Sequence, residues 1–96
     1  MHVLVLRAEL HLTQSRSLKA KRSVVKSALA RIQQHDGVGA AEVDHLEVWQ
    51  RAALGVTVVA GSPGHCEDVM DDVERLLWSL PDTDVLELHR SWWEGD

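Results

Sequence analysis

What most constrains this chain is a change of period within its first third. Residues 3–12 alternate without a break, with Leu4, Leu6, Ala8, Leu10 and Leu12 on one side and Val3, Val5, Arg7, Glu9 and His11 on the other. A period of two with one apolar side is a half-buried strand. From Leu18 to about His35 the period becomes helical. Leu18, Val25, Ala28, Leu29 and Ile32 share one side, while Lys19, Arg22, Ser23, Lys26 and Ala30 run along the opposite one. A polar turn, residues 13–17, separates the two, and Ser15 or Ser17 is available as its N-cap. A strand and a helix that each carry one apolar side must cover one another, which selects a layered fold.

The remainder repeats the pattern with an extra strand. Asp36-Gly37 ends the helix, with Gly37 as the left-handed residue. A strand is expected from Val38 to Glu47 and another from about Gln50 to Ala60. Gly61-Ser62-Pro63 starts a second helix, with Ser62 as N-cap and proline in the first helical position. Its buried stripe is Cys66, Val69, Met70, Val73, Leu76, Leu77 and Leu80, and Pro81 stops it. A last strand runs from about Asp84 to His89 or beyond, followed by Trp92-Trp93. The order βαββαβ predicts an α+β, ferredoxin-like sandwich: a four-stranded antiparallel sheet with both helices on one face. Right-handed crossovers place the first and third strands at the centre. The other sheet face is left uncovered, with Arg7, Glu9 and His11 beside Glu87 and His89.

Ninety-six residues, 45% of them apolar, make a single domain, residues 1–96. No apolar run approaches the roughly 20 residues of a membrane span, and the N-terminus lacks the basic and small-residue features of a signal peptide. One cysteine, Cys66, permits no internal disulfide, which fits a reducing, cytoplasmic setting. The net charge of −5 is unevenly spread: residues 10–35 hold six Lys or Arg and no acid, +6, which leaves −11 for the rest. Such polarisation steers partners even when the total charge is unfavourable.

That basic segment is the main functional signal. Arg16, Lys19, Lys21, Arg22, Lys26 and Arg31 crowd the loop and the first helix, where a helix N-terminus also offers free N–H groups to phosphate. They are the candidate RNA-binding residues, read from charge alone as a surface for RNA or an acidic partner. A solvated basic face paired with the acidic second helix is the alternative. Base stacking on the sheet is not expected: the chain has no Phe or Tyr, and Trp49, Trp78, Trp92 and Trp93 lie outside the central strands. No cofactor and no metal are expected, because one cysteine and histidines without ligand spacing make a poor donor set. Asp44 and His45 could form a carboxylate–histidine couple, but alternation puts them on opposite faces. Cys66 reads as a buried structural thiol. Arg7, Glu9, His11, Trp49 and Arg51 are candidates for a protein interface, and a homodimer is the second functional expectation.

Several runs resemble one family. Leu10-His11-Leu12, Ser17-Leu18-Lys19-Ala20-Lys21-Arg22, Ala41-Glu42-Val43-Asp44-His45 and Trp49-Gln50-Arg51-Ala52 are similar, over nearly the whole chain, to the YlxP-like bacterial proteins, a domain of unknown function. The resemblance implies a ferredoxin-like fold and, from the usual gene neighbourhood of these proteins, a link to ribosomal RNA or ribosome assembly. It implies no catalytic residue. The chain departs from the family at Ala20, where an acid is common, and in its tryptophan-ended C-terminus.

Overall fold

A computed structural model describes residues 1–94. Its elements are β1 (His2–Leu12), α1 (Leu18–Ile32), β2 (Val38–Asp44), β3 (Arg51–Ala60), α2 (Pro63–Trp78) and β4 (Thr83–Trp93). All strand pairs are antiparallel and the sheet order is β2-β3-β1-β4. The ferredoxin-like arrangement expected from the period changes is the one found, with β1 and β3 central.

The apolar side of β1 forms the floor of the core. Leu4, Leu6, Ala8, Leu10 and Leu12 are buried with Leu54, Val56 and Val58 of β3, beneath Val25, Ala28 and Ile32 of α1 and Cys66, Met70, Val73 and Leu77 of α2. Fully burying one such aliphatic side chain is worth about 1.5–3 kcal/mol, so the alternation in β1 and the two helical stripes dominate the folding energy.

Three boundaries differ from expectation, each for a local reason. α1 ends at Ile32, because Gln34 and His35 turn back onto Arg31 and Ile32 before Gly37, at φ 76°, redirects the chain into β2. β2 ends at Asp44 and does not reach Glu47, because its register with β3 slips between Glu42 and Asp44 and His45 adopts a left-handed φ of 61°. β4 extends to Trp93, with Trp92 opposite Leu4 and Trp93 opposite Val3. The tryptophan pair is thus part of the sheet edge.

Candidate functional site

Ser17, not Ser15, caps α1: its extended backbone (φ −163°) lets its hydroxyl accept from the Ala20 N–H at 3.0 Å. Beyond the cap, the first turn contains no acid. Lys19, Arg22 and Lys26 are exposed and follow one another at helical spacings of three and four, forming a stripe along one flank. Arg16 is exposed in the loop before it. Arg31 is exposed as well, but lies about a third of a turn around the helix from Lys19, so it stands apart from the stripe.

Lys21 requires a correction. Expected among the phosphate-facing cations, it is fully buried. Its position four before Val25, seven before Ala28 and eleven before Ile32 puts it on the inward stripe, and the sequence carried that signal. Its ammonium pairs with the Glu42 carboxylate at 2.8 Å and donates to the carbonyl of His45. A buried charge is tolerable only when paired and hydrogen-bonded. Lys21 therefore ties the start of α1 to the irregular end of β2 and has no free charge for a ligand.

The ion pairs sort the remaining cations. Arg7 and Arg51 bond acids of the sheet, Arg75 bonds Asp72, and Arg90 of β4 takes Asp71 and Glu74 of α2. With Lys21, these are half of the ten Lys and Arg residues. Among the described residues the other half makes no ion pair, and it consists of Arg16, Lys19, Arg22, Lys26 and Arg31. Three of the five acids of α2, Asp71, Asp72 and Glu74, are engaged by Arg75 and Arg90, and among the described residues no ion pair joins α1 to α2.

A second cluster lies on the uncovered sheet face. Glu9 accepts from Arg7 at 2.9 Å and from Arg51 at 3.2 Å, and its second oxygen is 3.1 Å from Nε2 of His45. Arg7 also reaches Asp44 at 3.2 Å. Burial pushes the Glu9 carboxyl up, but the hydrogen bonds from Arg7, Arg51 and His45 together outweigh it and hold it below its ordinary range. The His45 backbone N–H, and then Arg7, hold Asp44 low as well. His11 meets Asp84 at 3.5 Å. The expectation that Asp44 and His45 point to opposite faces is overturned: the register slip and the left-handed His45 bring both to the open face, where they join Glu9 through Arg7 and Nε2. Their own ring-to-carboxylate separation is 4.0 Å. These groups are committed to one another, and among the described residues no group of three His, Cys, Asp or Glu has the geometry to hold a metal. The cluster fastens β1, β3 and the end of β2 together. Trp49 is exposed at the tip that follows.

Cys66 is buried under β1 and β3, its thiol 3.5 Å from the carbonyl of His2 and 3.7 Å from that of Val58. Among the described residues no helix is long and apolar enough to cross a membrane.

Comparison with known proteins agrees with this architecture. The model of the family described as "Protein of unknown function (DUF503)" matches residues 3–90. An uncharacterised protein of Bacillus subtilis (strain 168), YlxP, is 30% identical over 76 residues, 79% of this chain and 83% of that one. Among solved structures, a de novo designed protein with ferredoxin fold superposes at a TM-score of 0.56 and 11% identity over 99% of this chain and 88% of its own. A C-terminal segment of the alpha subunit of aIF2 from Pyrococcus abyssi gives 0.55 and 11%, over 98% of this chain and 51% of its own. Identities this low speak to the fold alone.

Proposed function

The chain belongs to the DUF503 family of proteins of unknown function, and from that premise we propose that it works by binding, without catalysis, and that it holds RNA on the exposed cations of α1. The observation that carries this reading is the segregation of charge. In a chain with fifteen acids and ten bases, every basic residue outside Arg16–Arg31 has a carboxylate partner, as does the buried Lys21. Among the described residues the five unpaired ones all lie in that single segment. Chance pairing on an acidic protein would neutralise some of them. Leaving them free preserves a phosphate-binding surface.

Lys19, Arg22 and Lys26 supply the central stripe and Arg16 its leading end, where the first N–H groups of the helix also point outward. Each phosphate neutralised releases condensed counterions, so affinity falls with salt in proportion to the contacts made. The acidic remainder is repelled by the same polyanion, which orients the molecule with α1 forward. Structured ribosomal RNA, in a cytoplasmic setting where the single cysteine stays reduced, is the ligand this reading favours.

Cosedimentation with ribosomal particles at low and raised salt tests it, with the Lys19→Glu/Arg22→Glu/Lys26→Glu variant beside the wild type. Salt-sensitive association is expected for the wild type. The reversal should abolish it, and against isolated RNA should reduce the slope of log affinity on log salt by roughly 2–3. Equal binding of the two proteins, or no binding at either salt, removes the reading.

A further inference from the structure

Between α1 and β2 runs an open groove of about 480 Å³, lined by Val25 and Leu29, by Arg22 and Lys26, by Gln33 at the helix end and by Glu42 of β2. Two of the three stripe cations therefore share a groove with apolar side chains, and the acid among them has a side chain only 14% exposed. A surface for phosphates alone has no need of an apolar floor. The strand that walls the groove runs on into the tip at residues 45–50, where Leu46, Val48 and Trp49 are exposed, Trp49 at 53%. That tip is held to the loop before α1. The Gln50 side chain donates to the Ser15 carbonyl at 3.3 Å, and the Gln50 carbonyl accepts from the Leu12 N–H at 2.9 Å. The exposed Trp49 and the unpaired Arg16 are thus each one residue away from the same contact.

We propose that groove and tip form one track for unpaired RNA: an open strand lies along the groove with its phosphates on Arg16, Lys19, Arg22 and Lys26, and a base stacks on Trp49. The inference rests on the RNA reading above and narrows it to single-stranded segments, the loops and ends of a structured RNA. Three observations select that occupant. The row of unpaired cations calls for a polyanion. The apolar floor and the exposed indole suit the flat faces of bases, which a single strand presents and a duplex hides. An acidic peptide, the other polyanion of this width, would enter by adding a strand to β2, which is an edge of the sheet. That edge is obstructed: Gln33 donates to the Ala40 carbonyl at 2.6 Å, and the register slip between Glu42 and Asp44 breaks the regular main-chain row.

Fluorescence anisotropy tests it, comparing a labelled unpaired oligoribonucleotide of about 16 nucleotides, the upper span of a compact single-strand site, with a duplex of about eight base pairs and the same number of phosphates. At matched salt the wild type should bind the unpaired strand more tightly. Trp49→Ala should weaken that binding roughly 5- to 150-fold, the range for one base–aromatic stack, and leave duplex binding and the melting transition unchanged. Trp49→Phe, which keeps a stacking face, should restore most of the loss. A duplex bound as tightly as the strand, or a Trp49→Ala protein equal to the wild type, overturns the track. If the Lys19→Glu/Arg22→Glu/Lys26→Glu variant meanwhile fails to bind, the RNA reading itself stands. An oligoglutamate of equal charge that binds as tightly as the strand also overturns the track and assigns the groove to an acidic protein segment. A wild type that binds neither RNA removes this inference and the RNA reading together.

Discussion

Lys21 shows how one residue can look like a ligand-binding group and serve the fold. It belongs by sequence to a run of cations and by position to the buried stripe, and position prevails because its long stem packs while its ammonium finds Glu42 and the His45 carbonyl. Lys21→Met keeps the stem but strands the Glu42 carboxylate, itself only 14% exposed, and should cost about 3 kcal/mol. Adding Glu42→Leu should recover most of that loss, since an apolar pair of similar volume replaces the ion pair. Urea unfolding measures both. RNA affinity of the folded Lys21→Met protein should equal that of the wild type, which separates this lysine from its neighbours in the stripe.

The link from α1 to β2 shows why element ends decide geometry. Gly37 holds φ 76°, and a Cβ there would meet the Val59 carbonyl oxygen at 2.5 Å. Gly37→Ala therefore combines left-handed strain with a backbone clash and should destabilise by more than about 1 kcal/mol, against the usual gain of a glycine-to-alanine change. In a domain of this size that lowers the melting temperature by about 4–8 °C per kcal/mol. An unchanged melting temperature would contradict the tight turn. At the other end of β2, the slip between Glu42 and Asp44 aims His45 at Glu9. Without it strict alternation would hold, Asp44 and His45 would fall on opposite faces, and the open-face network would lose one of the two.

At the scale of the whole molecule, charge is both segregated and linked to stability. Glu9 and Asp44 are held below their ordinary values of 4.5 and 3.8. A carboxyl whose folded pKa is depressed stabilises the fold above its unfolded pKa, and that contribution is lost as pH falls through the folded value, because the unfolded chain then binds more protons. Stability measured by urea midpoint should thus be level near neutrality and fall as pH drops below about 4.5. Glu9→Gln should lower the neutral plateau and flatten the acid limb. An acid limb identical to that of the wild type would show that the Glu9 network contributes nothing to it. The same partition leaves an acidic body behind a basic helix, so partners of opposite charge are drawn to different sides of one small domain.

The period of two in residues 3–12, the helical stripes and the Ser62-Pro63 start were enough to determine the element order, the sheet order and most of the core. Those features depend on which side chains must leave water, and periodicity records that directly. The exposed cations of α1 were legible for the same reason, as the residues opposite the apolar stripe. The pairing of the inward-facing Lys21 with Glu42 and the meeting of Asp44 and His45 with Glu9 were decided only in three dimensions. Each depends on a pairing between distant segments, Lys21 with Glu42 or Glu9 with Arg51. A one-residue slip in register changes which side chains face one another, and nothing local in the chain encodes that slip.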